Sequence, residues 1–176
     1  MKNNTSGFVR NSSLNYALNI LSRRNITSFK LRKKMLEKGF SEEEIVEAIN
    51  KLSEWKYLDD YSYATAYVKA KSQKYSKKKI FYGLLNQGVD KELIIRALED
   101  IYSEEREFFN CLNLAIKIWN AEQRKWNGKL ESKLKSKHIS REMLLRKRLA
   151  DKLLAKGFSP NTVKSVLLKI FAEEEF

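Results

Sequence analysis

Few residues in this sequence have the chemistry that catalysis or metal binding requires. The chain has one histidine, His138, and one cysteine, Cys111, and these two alone cannot complete a zinc site. Asp59 and Asp60 are neighbouring carboxylates. Adjacent residues of a helix do not face the same point, so a shared cation is the weaker interpretation. We expect Asp60 to be the N-cap of a helix instead, with Asp59 interacting favourably with the helix dipole.

Motifs that mark common enzyme classes are absent from the sequence. It contains no glycine-rich phosphate loop, no dinucleotide fingerprint and no nucleophile elbow. His138 lies in a basic stretch where it could touch phosphate, although a plain surface histidine is the simpler interpretation. Cys111 lies beside an apolar stripe, which predicts a buried and inert thiol. We therefore expect no catalytic residue, no metal and no cofactor, and a protein that acts by binding.

Positive charge is the chemistry that the sequence does offer. Lysine and arginine number 35 against 22 acidic residues, a formal charge of +13. Such an excess favours a polyanion, or a protein surface close to one, as the partner. No acid occurs from Tyr61 to Val89, and charge pairing with helix dipoles does not explain so long a window. We predict a continuous basic face made of Arg32, Lys33, Lys69, Lys71, Lys74, Lys77, Lys78, Lys79, Arg146 and Arg148.

A repeated glycine-centred segment predicts the elements that carry these charges. The segment occurs at residues 35–41, 84–90 and 153–159. Each copy reads as a helix end, a left-handed glycine and the N-cap of a new helix. The predicted caps are Gly39, Ser41, Gly88, Asp90, Gly157 and Ser159.

Apolar residues with helical spacing surround each glycine segment. After the glycine, the spacing i, i+3, i+4, i+7 predicts one buried helix face. The residues of these faces are Ile45, Ala48, Ile49 and Leu52, then Ile94, Ala97, Leu98 and Ile101, then Val163, Val166, Leu167 and Ile170. An earlier helix in each repeat is predicted to bury Leu14, Ala17, Leu18 and Leu21, then Tyr63, Ala66, Tyr67 and Ala70, then Leu112, Ala115, Ile116 and Trp119.

These patterns predict an all-α chain of three tandem three-helix repeats, stacked into an elongated, curved array. One proline and six glycines are too few for a β-sandwich or barrel. The expected boundaries are a disordered lead-in at 1–13 and repeats at 14–58, 59–102 and 103–176. A break at Asn127-Gly128 is expected before the middle helix of the third repeat.

The same sequence indicates the compartment. A single cysteine is typical of a reducing interior, and no run of 18 apolar residues could span a membrane. The first 15 residues lack the apolar stretch of a secretory signal. We expect a cytoplasmic monomer without a membrane partner.

Beyond these patterns, the sequence resembles the RecX regulatory proteins. The resemblance covers residues 16–101 and 143–170. The matching stretches are 17–24, 28–31, 36–40, the Tyr-Leu-Asp-Asp junction at 57–60, 63–64, 67–68, 77–80, 84–89, 146–149 and 153–159. The chain departs from the family at Ser76-Lys77, near which a glycine is usual, and residues 103–140 match nothing in the family.

The resemblance implies a partner and an activity. By this resemblance, the chain is expected to consist of tandem three-helix repeats, as RecX proteins do. It is also expected to lie in the groove of the RecA filament on single-stranded DNA. RecX proteins inhibit the ATPase, strand exchange and co-protease activities of RecA, and they perform no chemistry of their own. Two alternatives stay open from the residues alone. One is a helical-repeat protein that binds nucleic acid without RecA, and the other is a scaffold for a different partner.

Overall fold

The computed structural model describes residues 6–125 and 140–172, with side chains from residue 13 onward. Within these ranges the chain is all-helical, as the sequence predicts, and no strand is present. The nine helices of these ranges are α1 Ser6–Leu21, α2 Ser28–Lys38, α3 Glu42–Glu54, α4 Asp60–Lys71, α5 Lys77–Leu85, α6 Lys91–Ile101, α7 Glu104–Arg124, α8 Arg141–Ala155 and α9 Pro160–Ala172. The break predicted at Asn127-Gly128 and the single histidine, His138, lie outside the described residues.

Helix α1 begins earlier than the sequence predicts. Residues 1–13 are expected to be a disordered lead-in, but α1 already begins at Ser6. Extending a helix costs far less free energy than starting one, and no proline interrupts this stretch. The helix that forms around Ala17 therefore continues toward the N-terminus, and the expected disorder is wrong for residues 6–13.

The chain divides into two compact units. Unit 1 comprises residues 1–67 and 82–97, and unit 2 comprises residues 68–81 and 98–176. Helices α4, α5 and α6 contribute one end to each unit. In unit 1, α1, α2 and α3 pack on one another. In unit 2, the three helices that pack on one another are α7, α8 and α9.

Each unit has its own apolar core. In unit 1, Leu31 and Met35 of α2 pack with Ile45 of α3, and all three are fully buried. In unit 2, the ring of Trp119 meets that of Phe171 edge-on, with centroids 4.9 Å apart. Burial of large apolar side chains is the main force that holds such helices together.

Two of the predicted buried faces are displaced. In α4, Ala66 and Ala70 are exposed, whereas Ala64 and Val68 are fully buried. In α7, Ile116 is 43% exposed although the pattern predicts its burial. Both helices carry apolar residues on more than one side, so helical periodicity alone does not decide which side is buried.

The three glycines of the repeated segment end their helices as left-handed residues. Gly39, Gly88 and Gly157 have φ angles of +95°, +80° and +90°. At the first turn, the backbone N–H of Phe40 donates to the carbonyl of Met35 at 3.2 Å, which is the closing hydrogen bond of a Schellman motif. Such turns allow two helices to follow each other with almost no connecting loop.

The two adjacent aspartates cap two different helices. Asp59, not Asp60, is the N-cap of α4, because its carboxylate accepts the backbone N–H groups of Tyr61 at 2.9 Å and Ser62 at 3.1 Å. The hydrogen bonds from Ser62 and Tyr61 hold the pKa of Asp59 below its usual value. Asp60 instead accepts the backbone N–H and the hydroxyl of Ser28, the first residue of α2, at 2.8 and 2.5 Å. The prediction that Asp60 is the N-cap of α4 is therefore wrong by one residue.

Within unit 1, the start of α2 packs against the turn between α5 and α6. This contact, formed by Thr27, Phe29 and Lys30 with Gln87 and Gly88, is the first joint. The hydroxyl of Thr27 donates to the carbonyl of Gln87 at 2.6 Å. The ammonium of Lys30 donates to the side-chain oxygen of the same Gln87. The side chain of Phe29 lies so close that a Cβ at Gly88 would be 2.3 Å from its ring.

Within unit 2, the start of α5 packs against the turn between α8 and α9. This contact, formed by Ser76 and Lys79 with Ala155, Lys156 and Gly157, is the second joint. The backbone N–H of Ser76 donates to the carbonyl of Lys156 at 3.2 Å. The ammonium of Lys79 donates to the carbonyl of Ala155 at 2.6 Å. A Cβ at Gly157 would lie 2.6 Å from the hydroxyl of Ser76.

Candidate functional site

Three exposed lysines of unit 2 form one part of the predicted basic face that is open to a partner. Lys69, Lys74 and Lys78 are exposed, and none forms an ion pair within residues 13–125 and 140–172. They lie near the end of α4, in the α4–α5 loop and at the start of α5. Lys71 and Lys77 are half-buried.

Hydrogen bonds from buried Tyr102 and half-buried Asn110 fix the loop that presents Lys74. The hydroxyl of Tyr102 lies 3.0 Å from the carbonyl oxygen of Ser72 and 3.1 Å from that of Tyr75, and donates to both. Burial raises the pKa of Tyr102 above its ordinary value, so this hydroxyl keeps its proton. The side-chain amide of Asn110 also donates to the Ser72 carbonyl, at 3.1 Å. The loop therefore presents Lys74 from a fixed backbone.

The two predicted residues of unit 1 have different surroundings. Arg32 forms an ion pair with Glu42 at 2.7 Å, across the turn from α2 to α3. Lys33 is exposed and has no ion pair in the described part of the chain. The continuity of the predicted basic face from these two residues to the lysines of unit 2 stays a prediction.

The two predicted arginines of α8 are half-buried and paired. Arg148 lies 3.8 Å from the buried carboxylate of Glu122, which also accepts a hydrogen bond from Lys152 at 2.5 Å. This hydrogen bond with Lys152 is the main reason that the pKa of Glu122 is below its usual value. Arg146 forms an ion pair with Glu142, one helical turn earlier. Both arginines therefore have carboxylate partners within unit 2, which their charge alone does not predict.

Lys79 is also exposed, but its ammonium has partners within the fold. Besides its hydrogen bond in the second joint, its ammonium lies 5.4 Å from the ring centroid of Tyr75. The ammonium of Lys156 lies 4.8 Å from the same centroid. An aromatic ring attracts cations through its electron-rich face, so Tyr75 partly compensates the charge of both lysines.

Sequence reasoning missed a polar groove in unit 2. Two lysines and three side-chain amides line this amide–lysine groove, which has a volume of about 550 Å³ and is formed by Gln73, Lys74, Asn110, Asn113 and Lys117 together with nearby apolar residues. Lysine binds phosphate as a point charge, and amides form hydrogen bonds with base edges. The spacing i, i+3, i+7 of Asn110, Asn113 and Lys117 on α7 is the signal that could have revealed it.

Other groups in the described residues offer little for catalysis. These residues contain no cluster of three or more histidine, cysteine or acidic side chains that could hold a metal ion. Cys111 is fully buried, and burial raises the pKa of its thiol to about 12. The thiol is therefore protonated and unreactive at neutral pH. No helix in the described ranges is both long enough and apolar enough to cross a bilayer.

Two family models match the chain. The first three-helix domain of RecX matches residues 14–52, and the second three-helix domain matches residues 59–98. Both matches include one of the glycine-ended turns described above.

Curated relatives extend the match to most of the chain. Regulatory protein RecX of Clostridium perfringens strain SM101 is 30% identical over 160 residues, which are 91% of this chain and 69% of the relative. Regulatory protein RecX of Caldanaerobacter subterraneus subsp. tengcongensis is 46% identical over 94 residues. That alignment covers 53% of this chain and about half of the relative, 48%.

Solved structures share the fold. The crystal structure of RecX from Lactobacillus salivarius superposes with a TM-score of 0.73 at 24% identity, covering 93% of this chain and 97% of that one. A second crystal structure, of a regulatory protein RecX, gives a TM-score of 0.67 at 20% identity over 89% of this chain and 70% of that one. On the sequence match that spans nine-tenths of its length, the chain belongs to the RecX family of regulatory proteins.

Proposed function

We propose that this chain is a non-enzymatic, cytoplasmic and monomeric regulator that binds the RecA filament on single-stranded DNA. It mainly inhibits the ATPase, strand exchange and co-protease activities of RecA. Membership of a family of regulatory proteins supports the regulatory role. The observation that carries the filament part is the set of exposed, unpaired lysines of unit 2, namely Lys69, Lys74 and Lys78.

The electrostatics of these lysines suit a surface next to DNA. The window from Tyr61 to Val89 contains no acid, so an approaching phosphate meets no acid of that stretch. Lys74 also lines the amide–lysine groove, where amides could bind an unpaired base beside the phosphate that a lysine holds. We expect a protein with this surface to bind most tightly where DNA phosphates and a protein polymer are presented together.

The ATPase rate of preformed RecA filaments tests this function. The protein is added well below one copy per RecA subunit, so that it cannot act by covering the DNA. Inhibition is the expected result, because a ligand that biases a polymer acts on many subunits. A rate that does not change at any substoichiometric amount would contradict the proposal.

A matched pair of variants tests the surface. Changing Lys69, Lys74 and Lys78 together to glutamine is expected to weaken filament binding without loss of helicity, because all three are exposed and form no ion pair in the described residues. The control changes Lys38, Lys91 and Lys169, three other exposed lysines, to glutamine and removes the same total charge. Equal affinity of the two variants would mean that net charge, not this surface, controls binding.

The amide–lysine groove also favours a second candidate, a protein that binds nucleic acid without RecA. Its test is binding to poly(dT) alone over a range of salt concentrations. In that case the triple lysine variant lowers the slope of log affinity against log salt by about 2, since each lost phosphate contact on a single strand contributes about 0.7. Tight binding to poly(dT) with no effect on the RecA ATPase would favour this candidate.

A further inference from the structure

An apolar groove lies along α8 and α9. Its lining contains none of the three lysines proposed to face DNA. Its volume is about 550 Å³, and Leu154, Val163, Leu167, Leu168 and Phe171 form most of its lining. Leu168 is 61% exposed and Leu154 is 42% exposed. Side chains of this size are usually buried, and a groove that gathers them is typical of a surface that binds another protein.

The charged side chains of this apolar groove have one sign. Arg146 and Lys164 are the charged residues of its lining, and no acid lines it within the described residues. The guanidinium of Arg146 lies 4.0 Å above the ring of Phe171, so the arginine is held at the groove by stacking. Its Nε–H is buried and has no acceptor in the described part of the chain. Because Arg146 already forms an ion pair with Glu142, the exposed Lys164 is the cation that a ligand carboxylate would meet beside the apolar floor.

This combination specifies the chemistry of the occupant. Two packed helices with an apolar groove between them bind an amphipathic helix by its apolar face. The charge of Lys164 at the groove favours a helix whose polar side carries aspartate or glutamate. A nucleic acid does not fit as well, since the lining offers no amide or hydroxyl side chain to a base.

We propose that the α8–α9 groove docks an acidic amphipathic helix of a RecA subunit in the filament. This inference rests on the proposed function and adds a second contact to it. The lysines of unit 2 bind on the DNA side, while the apolar groove binds protein. The groove then gives the regulator a preference for the filament over naked DNA, because only the filament offers both ligands.

Photocrosslinking identifies the occupant directly. Leu168 is replaced by a photoreactive benzophenone amino acid, and the protein is illuminated with RecA filaments assembled on poly(dT). The expected product is a covalent adduct to RecA whose crosslinked peptide contains an amphipathic segment with aspartate or glutamate. An adduct to a RecA peptide without carboxylates overturns the proposal. An adduct within this chain, for instance to its own acidic residues 173–175, or between two copies of it, also overturns it.

A charge variant provides the quantitative test. Leu168→Glu is expected to weaken binding to the RecA filament by at least about tenfold, because it removes an apolar contact and repels the carboxylates of the occupant. Binding to poly(dT) alone should stay the same. Met143→Glu, which changes an equally exposed residue of α8 outside the apolar groove, is the control and should bind as the wild type does. If the wild type itself fails to bind the filament, the proposed function fails; if it binds and Leu168→Glu binds equally well, only the groove assignment fails.

Discussion

The first and second joints surround a left-handed glycine with different side chains. In both, the start of a middle helix packs against a glycine-ended turn, Gly88 in unit 1 and Gly157 in unit 2. A buried hydroxyl residue lies at the same place in each, since Thr27 and Ser76 are both 12 residues before the glycine of their own repeat. The backbone arrangement is therefore repeated along the chain.

The chemistry around that arrangement differs. The first joint covers its glycine with the ring of Phe29, and Thr27 and Lys30 donate hydrogen bonds to Gln87 beside it. The second joint uses the alkyl chain and ammonium of Lys79, with Tyr75 between two lysines. A close backbone contact thus sets the geometry, and the side chains around it can be apolar or cationic. This is why Lys79 of a basic run has partners within the fold, while its exposed neighbour Lys78 forms no ion pair in the described residues.

Among the variants that test this comparison, the largest loss of unfolding free energy is expected from replacing each left-handed glycine by alanine, which adds one methyl group. Gly88→Ala should cost about 3 kcal/mol of unfolding free energy, from left-handed strain plus a clash with Phe29, whose Cβ at 2.5 Å is fixed by the backbone and does not move when the ring rotates. Gly157→Ala should cost about 2 kcal/mol, because its clashes, with the hydroxyl oxygen of Ser76 at 2.6 Å and the Cβ of Lys79 at 2.9 Å, are milder than those at Gly88. Gly39→Ala, with nothing within 4 Å, measures the strain alone, about 1 kcal/mol.

Urea unfolding followed by circular dichroism measures this series. The order Gly88, Gly157, Gly39 is the expected ranking of destabilisation. Three equal losses would show that backbone strain dominates and that the joints contribute no packing. A larger loss at Gly39 than at Gly88 would mean that the first joint does not form in solution.

A smaller loss of stability is expected from removing the carboxylates that accept a hydrogen bond from the first backbone N–H of α2 and of α5. Asp60 accepts two hydrogen bonds from Ser28, and Glu107 accepts one from the backbone N–H of Lys77 at 2.9 Å. Asp60→Ala should cost about 2 kcal/mol and Glu107→Ala about 1 kcal/mol, since each leaves a helix amide without its partner.

The matched control for this pair is Asp60→Asn, which keeps one acceptor oxygen. Thermal unfolding should place it between the wild type and Asp60→Ala. If Asp60→Asn melts at the temperature of Asp60→Ala, the negative charge of Asp60 rather than its hydrogen bond stabilises α2. The carboxylates of Asp60 and Glu107 would then stabilise their helices in different ways.

Local patterns in the sequence predict some of these features and not others. The left-handed glycines and the N-cap Ser41 follow from rules that act within one turn of helix, and the structure contains them. The partner of Asp60 is 32 residues away, and a one-residue shift between cap and helix changes its role. Such contacts depend on packing between distant segments, which no local pattern encodes.

The charged residues show the same division. Composition and the acid-free window point to a basic surface, and the exposed Lys69, Lys74 and Lys78 lie in that window. The same argument included Lys79 and Arg148, which the structure holds in a joint and beside a buried glutamate. Charge counts report how many cations a chain has, whereas burial and partners decide which of them a ligand can reach.

The smallest loss of stability is expected from replacing Tyr75, whose ring lies between Lys79 and Lys156 of the second joint. Tyr75→Leu should cost about 1 kcal/mol, because leucine fills similar space but has no electron-rich face for Lys79 and Lys156. Tyr75→Phe keeps that face and should unfold at nearly the same urea concentration as the wild type. Leucine and phenylalanine variants of equal stability would show that the ring acts only by filling space. The second joint would then resemble the first more closely than its charges suggest, and Lys79 would be held by its hydrogen bond to Ala155 alone.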